Sequence, residues 1–142
     1  ITFSSTSSAT LAWSHEGQII TKNLVPYLSG TRDSRNLTGW YVDSTKPNIG
    51  FFLDARDGQF FAGFFHYGSV GKPQWWASAG TFPDQAMTYT GTSLEAKDGQ
   101  SLAGTWQEPT TSEVGAVTLE YVDGLFTCDW KGHSFTLTRY SF

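Results

Sequence analysis

Charge is scarce in this sequence. Nine Lys and Arg and thirteen Asp and Glu make up 15% of its 142 residues, against roughly a quarter in an average globular chain. The basic residues are scattered, the net charge is −4 and the pI is near 5.2. That excludes nucleic acid as the main partner, because phosphate binding needs a concentrated basic face. Cysteine is reduced to Cys128, so no internal disulfide forms. Within LFTCDW this residue is expected to pack as a small apolar strand residue rather than to act as a nucleophile. No apolar run approaches the eighteen or so residues of a membrane span, and no charged segment followed by an apolar core stands at the N-terminus. Helical periodicity is missing almost throughout. No P-loop, G-x-S-x-G elbow or CxxC occurs, so nucleotide, serine-hydrolase and redox readings lack local support and no cofactor is implied. His15, His66 and His133 show no metal-ligand spacing.

Aromatic residues are abundant, at 16%, and Gly occurs 15 times. That profile is expected of an all-β protein that is secreted, periplasmic or displayed outside the cell. The chain opens on Ile1 rather than Met, as expected of a processed or trimmed chain. At this length residues 1–142 are read as one β-barrel domain. A sub-boundary is placed at 28–36 (LSGTRDSRN), after an N-terminal hairpin segment.

Glu16-Gly17, Asp57-Gly58, Asp98-Gly99, Asp123-Gly124 and Lys131-Gly132 each place Gly where a two-residue hairpin needs positive φ. Twelve strands follow, at about Ile1–Ser4, Ala9–Ser14, Gln18–Val25, Leu37–Asp43, Asn48–Arg56, Gln59–Tyr67, Pro73–Ala79, Met87–Ala96, Gln100–Gln107, Val114–Val122, Leu125–Lys131 and His133–Phe142. So many short strands in a small chain predict an antiparallel meander closed as a barrel, or a two-sheet sandwich, since an open sheet of that size would expose long edges.

The chain also repeats itself. GFFLDARDGQFFAGFF from Gly50 and GTSLEAKDGQSLAGTW from Gly91 share eight of sixteen positions. The shared LxAxDGQxxAG frame predicts a hairpin in both copies, with its interior glycines marking bends or the close approach of a large ring. Alternation puts Phe51, Leu53, Ala55, Phe60, Ala62 and Phe64 on one face and Phe52, Asp54, Phe61, Phe65 and Tyr67 on the other. Both faces are aromatic, so the first copy is expected to lie under more protein, line a ligand pocket or contact another chain, including a second copy through its aromatic strands. By the same frame Trp106 is the counterpart of Phe65. A weaker likeness links ITFSSTSSATLAWSHEGQIITKN to VTLEYVDGLFTCDWKGHSFTLTR. It makes the N-terminal hairpin a counterpart of the C-terminal one, either in a pseudo-symmetric barrel or as a piece of a longer repeated protein.

Adjacent Trp75 and Trp76 must point to opposite faces of a strand, so at least one has to be covered by protein, a stacked sugar ring or a partner. Asp54, Asp57, Glu95 and Asp98 invite an acid/base reading of the glycosidase type. Their places in and beside hairpin turns account for them without catalysis, and a non-enzymatic protein is expected.

LTGWYVDSTKPNIGFFLDARDGQFFAG resembles the opening hairpin of avidin and lipocalin-type calycin barrels, with a Gly-Trp on the first strand, an Asp-Gly turn and a Gly on the return strand. The resemblance implies that the barrel closes with Arg139 as structural partner of Trp40; the biotin-site pattern does not continue. The longer span GWYVDSTKPNIGFFLDARDGQFFAGFFHYGSVGKPQWWASAG, with VGAVTLEY and LTRYSF, resembles secreted bacterial β modules with a Gly-Trp start and a Gly-Lys-Pro-x-Trp motif. The expected function is binding of a small molecule or glycan through an aromatic surface or barrel mouth, with Trp75, Trp76, Tyr67, His66, Trp40, Phe65 and Trp106 as ligand-binding residues. A hydrophobic-ligand carrier, a glycan-active hydrolase or lyase, and a protein-interaction module are the alternatives.

Overall fold

A computed structural model describes every residue except Pro47, Leu102 and Phe142. The chain is all β, with no helix long and apolar enough to cross a membrane among the described residues. Three strands, β1 (Thr2–Ser5), β2 (Ser8–His15) and β3 (Gln18–Leu24), form a sheet of their own. Eight more, β4 (Gly39–Asp43), β5 (Gly50–Arg56), β6 (Gln59–Tyr67), β7 (Pro73–Thr81), β8 (Thr88–Lys97), β9 (Thr110–Val122), β10 (Leu125–Trp130) and β11 (His133–Arg139), close into an antiparallel barrel. Each pairs with the next in sequence and β11 returns to β4, so the predicted meander is realised as an up-and-down barrel compatible with a calycin-like one.

The turns behave as their residues dictate. Asp57 (φ 45°) and Gly58 (φ 72°) are both left-handed, which matches hairpin twist to strand twist. Glu16-Gly17, Asp123-Gly124 and Lys131-Gly132 do the same.

The expected strand Gln100–Gln107 does not form. Asp98 is left-handed (φ 57°) but Gly99 is not, and β8 instead pairs with β9 across residues 98–109. The physical reason lies in what the second copy lost. Ser101, Ala103 and Thr105 stand where Phe60, Ala62 and Phe64 bury themselves in the first copy, so a return strand there would have little to pack. Ser101 instead accepts a turn hydrogen bond from the Gly104 amide (3.0 Å). Leu102, part of that expected strand, and Phe142, the end of the last one, lie outside the described residues. Trp106 is therefore no strand counterpart of Phe65.

Inside the barrel the period-two pattern selects Tyr41, Phe51, Leu53, Phe60, Leu119, Phe126 and Leu137, each 2% exposed or less. The repeat's aromatic ambiguity is thereby resolved, with Phe51, Phe60 and Phe64 facing inward and Phe52, Phe61 and Phe65 outward. Gly91 keeps its place because the Tyr89 ring lies against it, where a Cβ would overlap the hydroxyl. β7 and β8 meet in register only at Ala77 and Leu94. Side chains stitch the rest, with Ser78 Oγ donating to the Thr92 carbonyl (2.8 Å) and the Tyr89 hydroxyl to the Ala79 carbonyl (3.2 Å).

One end of the barrel is sealed by the stretch 28–36 and its continuation. Asp33 and Asp57 exchange backbone hydrogen bonds with Ala55 and Thr31, Leu37 is fully buried, and Asp33 is 5% exposed. Arg35 forms an ion pair with Asp33 (2.6 Å), donates to the carbonyls of Ala86 and Pro83, and lies 4.6 Å from the Phe82 ring centroid. At the other end Asp43 accepts from the Thr45 hydroxyl (2.6 Å) and from the amides of Thr45 and Lys46.

The Arg35 side chain holds the Asp33 carboxyl below the usual carboxylate range, and the Thr45 hydroxyl does the same for Asp43. Depressed carboxylates stabilise the fold above the unfolded-chain value of ~3.9 and cease to do so as pH falls through their folded values. The part of the urea midpoint that these two carboxylates supply is therefore expected to be constant from neutral pH to about 4 and to fall below it. Asp43→Asn should shallow that acid limb.

Candidate functional site

The open end of the barrel holds a cavity of about 350 Å³. That is the volume range of small-ligand pockets, and an eight-stranded barrel is just wide enough to hold one small ligand. Its floor is Phe51, Phe64 and Leu137, and its walls include His66, Trp76, Trp130 and Phe135. β6 brings His66 inward because it continues the parity of Phe60, Ala62 and Phe64. β7 brings Trp76 beside it through the Phe64–Trp76 pairing.

The three rings form one cluster, His66 to Trp76 at 3.6 Å, Trp76 to Trp130 at 4.0 Å and His66 to Trp130 at 5.6 Å. Trp130 is anchored through Nε1, which donates to Ser93 Oγ (2.7 Å), and that hydroxyl donates on to the Gly115 carbonyl (2.8 Å). Trp76 Nε1 and His66 Nε2 have no such anchor. Both atoms are buried without a hydrogen-bond partner among the described residues, a condition costing about 1–3 kcal/mol each when nothing meets it. Burial pushes the His66 pKa down, so the ring is neutral near pH 7. Its Nδ1 lies 3.1 Å from the Tyr67 carbonyl, which can only accept. The proton therefore sits on Nδ1 and leaves Nε2 a bare acceptor.

Lys131 overhangs this cluster from the β10–β11 turn, its ammonium 5.4 Å from the Trp76 ring centroid and 5.1 Å from that of Trp130. Its stem crosses Gly115, where a Cβ would meet Lys131 Cγ at 3.2 Å. On the opposite side Lys46 Nζ stands 5.4 Å from the Phe135 ring centroid. No Asp or Glu lines the cavity among the described residues.

The expected binding residues divide between two surfaces. His66 and Trp76 face the cavity. Trp40, Phe65 and Trp75 lie on the outer wall, 42%, 42% and 53% exposed, where Trp40 packs on Phe52 (5.4 Å) and Phe65 (5.5 Å) and Phe65 is cross-strand from Trp75; Phe65 also contributes to the edge of the cavity lining. Tyr67, 53% exposed, stands at the rim. Trp106 shares an open groove with Trp75, Gln100 and Gln107. Arg139 closes the β11–β4 junction by donating to the carbonyls of Asn36 (2.9 Å) and Thr38 (2.8 Å). Trp130, Lys131 and Lys46 are absent from the binding residues expected from the sequence; the tryptophan immediately before the Lys131-Gly132 turn is the signal for the first two.

The acidic residues are engaged elsewhere. Asp54 accepts from Thr38 Oγ1 (2.9 Å) and pairs with Arg56 (3.1 Å), while Glu95 pairs with Lys97 (2.8 Å). Cys128 is buried, and burial pushes its pKa up to about 12, so it remains a thiol. No group of three or more His, Cys, Asp or Glu that could hold a metal ion exists among the described residues. The chain matches no protein-family model, no curated protein and no solved structure.

Proposed function

We propose that this protein is a non-catalytic, calycin-like binding module, working outside the cytoplasm, that takes a carbohydrate ring in its barrel mouth. The observation that carries this reading is the pair of buried, unpartnered ring nitrogens, Trp76 Nε1 and His66 Nε2, in the wall of an aromatic cavity. One is a donor and the other an acceptor, and a hydroxyl can serve either. Indole faces suit the C–H face of a sugar ring. The apolar floor of Phe51, Phe64 and Leu137 favours a second reading, a carrier of a small hydrophobic ligand, but such a ligand leaves both nitrogens unmet.

Intrinsic tryptophan fluorescence tests the proposal with a panel of monosaccharides and disaccharides and a parallel series of fatty acids. Saturable quenching or a blue shift is expected with at least one sugar. Trp76→Phe, which keeps the ring and removes the N–H, should weaken that binding about 5- to 10-fold, the size of one hydrogen bond. Trp75→Ala, on the outer wall, should leave it unchanged. A response to fatty acids alone would transfer the site to the second reading.

A further inference from the structure

Resting on the carbohydrate reading, we propose that the sugar this mouth selects is acidic: a uronate, its ring lying on Trp76 and Trp130 and its carboxylate taken by Lys131. The chain carries thirteen acidic side chains against nine basic ones, yet the cavity lining holds Lys46, His66 and His133 and no carboxylate among the described residues.

The charged groups facing it can be taken element by element. The β4–β5 connection brings Lys46 into the lining, with Asp43 beside it at the end of β4 and outside the lining. Asp43 is spent on Thr45 and the Lys46 amide, and its charge partly offsets that of Lys46, whose proximity helps to hold the Asp43 carboxyl low. From β6 comes His66, neutral near pH 7. β11 brings His133 into the lining, and the β10–β11 turn holds Lys131 beside it, over the Trp76 and Trp130 rings. Neither Lys46 nor Lys131 forms an ion pair among the described residues, but Lys131 has no carboxylate hydrogen-bonded beside it and its ammonium lies over two indole faces.

A cation lying over aromatic rings is held less strongly than one in a charge-assisted bond to a carboxylate. An incoming anion therefore draws the ammonium off the rings, and the surface it vacates is the one on which a sugar stacks. Fatty and simple aromatic carboxylates would satisfy Lys131 but have no hydroxyl to donate to His66 Nε2, which a carboxylate cannot serve. Hydroxyl and carboxylate on one ring answer both demands.

Isothermal titration of the whole chain with D-glucuronate, D-glucose and 4-hydroxybenzoate tests this, on the wild type, on Lys131→Gln, and on Lys22→Gln as a distant variant with the same charge change. Glucuronate is expected to bind at least about 10-fold more tightly than glucose at low salt, and added salt should erode only that difference. Lys131→Gln should abolish the excess of glucuronate affinity over glucose affinity, and Lys22→Gln should leave that ratio as in the wild type. Equal affinity for the two sugars, or a preference that survives Lys131→Gln, overturns the acidic selection while leaving the sugar site standing. Tighter binding of 4-hydroxybenzoate than of glucuronate overturns the uronate in favour of an aromatic hydroxy acid. Binding of none of the three removes the sugar site and the inference together.

Discussion

Phe51→Ala is expected to lower the unfolding free energy by about 3–5 kcal/mol, the cost of truncating a fully packed aromatic side chain. Phe51 is 1% exposed and touches Tyr41 (ring centroids 5.1 Å), Phe126 (5.4 Å) and Phe64 (5.5 Å). Its loss would open a void at the centre of the barrel and enlarge the cavity at its open end at once. Against a typical domain stability of about 5–15 kcal/mol, the variant should be marginal. Phe65→Ala, in the same hairpin but 42% exposed on the outer wall, should cost at most about 1 kcal/mol, the scale of its aromatic pairing with Trp40. Urea denaturation of the two variants measures the contrast, and equal losses would contradict the assignment of faces.

Arg35→Met is expected to cost about 3–5 kcal/mol at neutral pH, because it leaves the buried Asp33 carboxylate uncompensated. The side chains of Arg35 and Asp33 are 14% and 1% exposed, and the guanidinium also ties the segment under the barrel to the carbonyls of Ala86 and Pro83. The double replacement Asp33→Leu with Arg35→Met should recover much of the loss, since a well-packed apolar pair of similar volume often replaces a buried ion pair without penalty. Removal of the Lys97–Glu95 pair by Lys97→Ala, where the lysine is 59% exposed, should leave the urea midpoint within error. A single Arg35 variant as stable as the wild type would show that the seal does not depend on this pair.

The parts of the fold legible in the sequence were those fixed by neighbouring residues. Hairpin turns follow from pairs such as Asp57-Gly58, and strands follow from alternation, so eleven of the twelve expected strands form. The twelfth failed where the local signal was copied without its tertiary support. Asp98-Gly99 kept the turn letters, but the residues after it no longer had side chains for the core. Alternation also required Trp75 and Trp76 to part company. Which of them turned inward depended on the Phe64–Trp76 pairing across β6 and β7, and nothing local set that parity. For the same reason the site was half visible. His66 and Trp76 lie on one hairpin, β6–β7, whereas Trp130 meets them only because the strands close into a ring, with Lys131 over it from the next turn.

That ring of strands is not uniformly fastened. Most neighbouring strands are joined by long ladders of main-chain bonds that any sequence of strand-formers could make, but β7 and β8 are held in register at a single pair. There the joint depends on Ser78 and Tyr89 reaching across it. Ser78 lies two positions beyond Trp76 on β7, and across the joint Ser93 on β8 holds the Trp130 indole. The place where the circumference can lengthen at least cost is thus also a wall of the cavity. Substitutions at Ser78 or Tyr89 therefore bear on the integrity of the ring of strands as well as on local packing.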